Sequence, residues 1–241
     1  MTMILVILIG LAAGTLAGII GFGGSTILLP VLSLQFGPKA AVPIMAIAAI
    51  FGNFARVVAW WRVVSWPAVG AYSITAIPAA WFGARTMLSL DPTTLELALG
   101  VFFIIMIPLR RWFAVSGLRV TLPGLCIAGA VIGYLTGIVA NTGPINTPFF
   151  LAHGLTKGAF VGTEATASLA MFLSKAAAFR SFGALPTETI TNGIIVGISL
   201  MAGTYIAKHL LHSINEAVFD GLMDVLLLVA GIAMIMSALY A

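Results

Sequence analysis

Arg56, Glu164 and Lys175 are ionisable residues inside otherwise apolar runs of this chain. A charge in hydrocarbon is costly, so each one marks a functional candidate. Arg56 lies six residues before Arg62, and Lys175 five before Arg180. Sliding the second half back by 118 residues sets Lys175 at Val57, beside Arg56. The two halves are therefore expected to offer one cation each at nearly the same depth. A guanidinium can grip an oxyanion through two parallel N–H bonds, and an ammonium acts as a point charge. Both side chains are also long enough to snorkel to the interface. Glu164 follows Lys157 by seven residues and precedes Lys175 by eleven, which places all three on roughly one helix face. It is either the structural partner of Lys157 or a carboxylate that carries a coupling proton. The first half has Ala46 at the aligned position. Asn53 adds an amide to the segment that holds Arg56, either for a ligand or for a neighbouring helix. Asp224, deep in the last segment, is read as pairing with a neighbour.

These residues flank two matched interruptions. Gly14-Thr-Leu-Ala-Gly18-Ile-Ile-Gly21-Phe-Gly-Gly24-Ser-Thr-Ile-Leu-Leu-Pro30 is echoed by Gly133-Tyr-Leu-Thr-Gly137-Ile-Val-Ala-Asn141-Thr-Gly143-Pro-Ile-Asn-Thr-Pro148 about 119 residues later. Paired, interrupted apolar segments in two halves of a membrane protein point to a transporter with its site at the breaks. Glycine lets the backbone leave the helix or approach a ligand closely. Pro144 removes an amide donor and disfavours helix at Gly143. The run after each break should start a short helix whose free amides and positive dipole end suit an anion. The expected cradle is built from Gly23, Gly24, Ser25 and Thr26 in the first half. Asn141, Thr142, Gly143, Asn146 and Thr147 supply it in the second, with Asn53, Arg56 and Lys175 as side-chain ligands. Small residues used only for helix packing and kinks are the plainer reading of the same positions.

Hydrophobic residues make up 61% of the 241 residues and charged residues 7%. So few charges cannot cover a water-facing surface. The chain is read as an all-α polytopic membrane protein retained from Met1 onward, since the basic start and cleavage site of a signal peptide are missing. The expected segments are 3–36 (interrupted at 21–25), 39–62, 66–88, 93–113, 121–155 (interrupted at 140–148), 157–181, 187–210 and 215–240. They form two pseudo-symmetric halves of about four segments, 1–113 and 121–241, joined by a linker at 114–120. The first and fifth segments are broken or re-entrant. If each broken segment crosses once, the halves are parallel and eight spans result. If each is a hairpin, each half has five elements and the halves are inverted. The Lys and Arg bias is equal in both schemes, and eight nominal spans is the favoured one. Pro38, Pro67, Pro92, Pro123 and Pro186 sit near boundaries, where a helix start tolerates proline. The net charge of +4 is scattered at segment ends, with no basic stripe for nucleic acid. Trp60, Trp61, Trp66 and Trp112 read as interface aromatics, and His153 as a boundary residue. Cys126 is the single cysteine, so no disulfide and no multi-cysteine metal site is expected.

The glycine-rich stretch Gly18-Ile-Ile-Gly-Phe-Gly-Gly-Ser25, followed by Leu29-Pro30, resembles the motif of the TauE/SafE sulfite-exporter family. The duplication at this length is similar too, and so is Leu155-Thr-Lys157-Gly-Ala-Phe-Val-Gly162-Thr after the second break. Ala140-Asn141-Thr142-Gly143-Pro144 departs from the pattern, standing where a glycine-rich run is usual. The resemblance implies a small permease of a bacterial inner membrane that carries sulfite, an organosulfonate or a related anion. The expected function is secondary transport, in the export direction, by alternating access around the broken segments, with Glu164 as the coupling residue. The alternative is a proton-coupled permease or channel for a neutral or cationic solute. No P-loop occurs, and no nucleophile–base pair or paired intramembrane acids suggest an enzyme. No cofactor is implied. The expected partners are a small anion and the lipid bilayer, with a homodimer as a candidate assembly and no nucleic acid.

Overall fold

The computed structural model describes residues 3–20, 24–139, 142–210 and 216–240. They form ten helices and one 3-10 turn, with no strand among the described residues. In chain order these are α1 (Met3–Ile20), α2 (Gly24–Phe36), α3 (Pro38–Trp60), the turn Trp61–Val63, α4 (Trp66–Ser89) and α5 (Pro92–Val115). The second half gives α6 (Leu122–Ile138), α7 (Gly143–Ala152), α8 (Lys157–Ser181), α9 (Thr187–Leu210) and α10 (Glu216–Tyr240).

Boundaries follow local chemistry. Pro38, Pro67, Pro92 and Pro123 occupy the first turns of α3, α4, α5 and α6. There the missing amide has no intrahelical partner to lose. Asp91 caps α5 by accepting the Thr94 amide at 2.9 Å and the Thr94 hydroxyl at 2.6 Å. Gly37 and Gly154, with φ of 78° and 92°, separate each short helix from the long one after it. Only a residue without a Cβ enters that left-handed region freely.

The helices α3, α5 and α9 are long and apolar enough to cross a bilayer, over Pro38–Val63, Pro92–Phe113 and Thr187–Ile206. Between 33% and 50% of each apolar window is buried inside the protein. The remainder faces outward and is still apolar, as at Ile105 on α5 and Ile198 on α9. An outward apolar surface of that extent belongs in lipid. The chain is thus a multi-pass helical membrane protein.

Helix directions follow from the closest approaches. On α6, Gly129, Gly133 and Gly137 lie in order against Tyr72, Ala76 and Ala80 of α4, so the two helices run parallel. A Cβ at Gly133 would sit 2.6 Å from the Ala76 carbonyl oxygen. On α1, Gly10 meets Ser199 and Gly14 meets Leu200 and Gly203 of α9, which is again parallel. Small residues at every fourth position let backbones touch where lipid supplies no hydrophobic drive between helices. By contrast α5 and α10 are antiparallel: Gly100 lies beside Gly231, and Arg110 and Arg111 both pair with Asp224. The expected partner of Asp224 is therefore this arginine pair. In the centre α3 and α8 are antiparallel too, with Trp60 at the end of α3 against Gly158 and Gly162 at the start of α8. Trp60 is half exposed, so it serves this packing as well as facing outward.

The second break differs from expectation in extent and direction. It was expected over 140–148, but α7 begins at Gly143, so Asn146, Thr147 and Pro148 are helical. Pro144 falls in the first helical turn, where it favours a start instead of extending the break. The chain then returns on itself. The Val120 amide donates to the Ala152 carbonyl at 3.0 Å, and His153 Nδ1 donates to the Val120 carbonyl at 2.8 Å. The end of α7 therefore lies beside the start of α6. With 17 residues in α6 and 10 in α7, the two helices are about 26 Å and 15 Å long, and Val139, with φ −93° and ψ 162°, leaves α6 in an extended conformation.

Candidate functional site

The antiparallel α3–α8 pair brings distant residues together. Arg56 lies one turn before Trp60, and Glu164 lies just after Gly162, so they meet where those two residues pack. Arg56 Nη1 is 3.1 Å from Glu164 Oε2. Asn53, one turn earlier on α3, anchors its own Nδ2 on the Ala49 carbonyl at 2.8 Å and accepts Arg56 Nη2 at 2.5 Å. The guanidinium is thus held from two sides. Glu164 Oε1 accepts Ser168 Oγ at 2.7 Å, one turn along α8, and Asn146 Nδ2 at 3.1 Å from the first turns of α7. Asn53, Asn146, Glu164 and Ser168 are all buried, while the Arg56 side chain is 19% exposed. A carboxylate in so dry a place needs this full set of donors, because burial without them costs several kcal/mol, about 3–5 when one partner of a buried pair is removed. Glu164 is therefore joined to Arg56, Asn146 and Ser168, and the simpler expectation of a Lys157 partner is not what the geometry gives.

Two buried polar atoms near this cluster have no hydrogen-bond partner among the described residues: Asn146 Oδ1 and Tyr72 Oη. Tyr72 comes from α4, and its ring packs on Phe150 of α7 with centroids 5.1 Å apart. Sequence reasoning passed over Tyr72 and Ser168. Ser168 had a usable signal, since it stands four residues after Glu164 on the same helix face. Tyr72 had none, because only the α4–α7 contact brings it here.

Lys175 lies elsewhere. It is eleven residues beyond Glu164 on α8, about 16 Å further along the axis. Its Nζ donates to the carbonyls of Thr136 at 2.6 Å and Val139 at 2.7 Å, and it lies 5.6 Å from the centre of the Phe179 ring. The first carbonyl belongs to the last turn of α6 and the second to the residue that caps it, where a cation complements both the unpaired acceptors and the dipole. The expectation that Arg56 and Lys175 share a depth is corrected: α3 and α8 run in opposite directions, so equal positions in the two helices fall at opposite levels.

Of the other expected ligands, Thr142 is buried, and its hydroxyl is paired with that of Thr136 across the break. Its carbonyl accepts the amides of Ile145 at 3.0 Å and Asn146 at 2.9 Å, which starts α7 with Gly143 as its first residue. Thr147 is half-buried on α7, apart from the Glu164 contacts. Gly23 and Asn141 lie outside the described residues, as do the side chains of Ser25 and Thr26. Gly24 is the first residue of α2. Chemically, the cluster offers a forked cation, a proton acceptor and a short-helix start in one buried place.

The comparisons with known proteins bear on this arrangement. No curated protein and no solved structure matches the chain. A family profile described as "Sulfite exporter TauE/SafE" matches residues 6–234 of the 241. That span takes in every described residue of the Arg56–Glu164 cluster, so the chain belongs to the TauE/SafE sulfite exporter family of membrane transporters.

Proposed function

We propose that this protein is a secondary transporter that exports a small anion, of the sulfite or organosulfonate class, across the inner (cytoplasmic) membrane. The reading rests chiefly on one observation: a partly buried arginine fork, oriented by Asn53, beside the first turns of α7. Arg56 holds the anion bidentately, the start of α7 and Asn146 add donors, and the start of α2, Gly24 to Thr26, contributes from the other half. Glu164 is the coupling residue. Lys175 fixes the end of α6 and acts on the site through the break.

The same reading makes the halves inverted. Parallel pairing of α4 with α6 is matched by that of α1 with α9, and antiparallel pairing of α3 with α8 and of α5 with α10 joins equivalent helices. With five elements per half and a return at α7, the two halves point in opposite directions. Rocking of one half against the other about the α3–α8 contact then opens the cluster alternately to each side.

The test is a thermal-shift panel on the purified protein with sulfite, sulfate, thiosulfate, methanesulfonate and chloride, against alkali cations. A ligand that binds only the folded state raises Tm by mass action. Stabilisation by one sulfur oxyanion, lost in Arg56→Ala, is the expected result. Stabilisation by cations alone would sink the anion assignment. A second reading, a permease for a neutral or cationic solute, draws on the idle acceptor Asn146 Oδ1 beside a carboxylate. It requires Glu164→Gln to abolish solute binding itself.

A further inference from the structure

We infer that the anion and one proton bind together, by an exchange of partners at Arg56; this rests on Arg56 being the anion ligand. In the structure the guanidinium is neutralised by Glu164 at 3.1 Å in a buried setting. An anion that takes the fork must displace that carboxylate. The displaced carboxylate would then face the anion across a low-dielectric space, where like charges repel strongly. Adding a proton to Glu164 removes the conflict. The exchange balances: Arg56⁺·Glu164⁻ plus anion plus H⁺ gives Arg56⁺·anion⁻ and neutral Glu164. The proton goes to Oε1, the oxygen that Ser168 and Asn146 hold.

The partners of Glu164 are suited to this exchange. Arg56 has only donors, so it cannot satisfy a protonated oxygen. Ser168 donates to Oε1 now and can accept instead. Asn146 donates through Nδ2, and its Oδ1 is buried with no partner among the described residues. Rotating that amide turns a donor into an acceptor, so neutral Glu164 keeps its hydrogen bonds. Only the arginine must let go, and it is the residue that the anion claims.

Few other charged groups approach. From α3, Arg56 faces Glu164, and from α4, Tyr72 does so with an unpartnered hydroxyl. From α7 the facing group is the neutral Asn146, with His153 bound to Val120 at the far end. In the 3-10 turn Arg62 stacks on Trp61, 5.6 Å from its ring centre. On α8 itself, Lys157 lies about two turns away and Lys175 about three.

The experiment uses the full chain in detergent and methanesulfonate, whose charge is constant between pH 5 and 8, with sulfite alongside. Proton uptake is read with a pH indicator in weakly buffered solution as anion is added, and affinity is measured across that range. The expected result is close to one proton taken up per anion bound, with affinity falling about tenfold per unit rise in pH wherever that uptake is complete. Glu164→Gln is expected to bind at all pH values with no proton uptake. Binding of methanesulfonate without proton uptake would overturn this inference and leave the anion site standing. Absence of binding by either anion would overturn both readings. If Glu164→Gln does not fold, the proton count on the native protein still decides.

Discussion

Arg56 and Lys175 are both cations inside long central helices, yet their surroundings differ in kind. Lys175 is fully buried and bound to two backbone carbonyls at the end of α6. Arg56 is partly exposed and bound to side chains, a carboxylate and an amide. Backbone carbonyls cannot leave or change charge without unwinding a helix. A carboxylate can do both by taking a proton. A buried cation satisfied by backbone is a fastening, and one satisfied by a titratable side chain can exchange its partner.

The largest expected effect tests the fastening. Lys175→Ala leaves two carbonyls unpaired and a cavity, which costs about 2–5 kcal/mol and should lower Tm sharply. If Lys175→Ala instead kept its stability and lost anion affinity, the contrast between the two cations would fail. Next is Arg56→Ala, which removes a charge-assisted pair of donors. Anion affinity should fall about 10- to 100-fold in equilibrium binding, corresponding to about 1.5–3 kcal/mol. Ser168→Ala should be milder, about 1 kcal/mol of stability by denaturant titration. It should also shift the pH dependence of anion binding, because Ser168 holds either protonation state of Glu164. An unchanged pH profile would remove Ser168 from the exchange.

The smallest effect lies outside the membrane and serves as a control. Hydrogen bonds from the Thr94 hydroxyl and amide hold the Asp91 carboxyl below the usual carboxylate range. Its contribution to stability is therefore present at neutral pH and is lost as pH falls through that lowered value. Asp91→Ala should flatten this acid-side loss slightly in Tm against pH, while leaving anion binding alone.

Much of the architecture was readable along the chain. The expected segments 39–62, 66–88, 157–181 and 187–210 match α3, α4, α8 and α9 to within about two residues, because long apolar runs ended by proline admit few other solutions. Asn53, Arg56 and Glu164 stood out because a charge or amide in hydrocarbon must be used or paired. Their mutual contact was not readable. A spacing argument on one helix favoured Lys157 as the partner of Glu164, whereas the real partner comes from α3, 108 residues away in the chain. The second break was misjudged because Pro144 and Pro148 look like interruptions, although a helix start accommodates the first of them.

By itself the sequence determined that this is an all-helical membrane protein carrying a few charges inside apolar runs, because desolvation makes a charge expensive to place there without a use or a partner. Only the tertiary structure decided which charges meet. That depends on helix direction, which after Ile138 turns on where α7 starts, at Gly143, and on the bond from Val120 to Ala152. A returning α7 carries Asn146 back to Glu164, and an antiparallel α3 sets Arg56 there and leaves Lys175 at the other level. Hydrophobic periodicity reports that a helix is buried and says nothing of which way it runs.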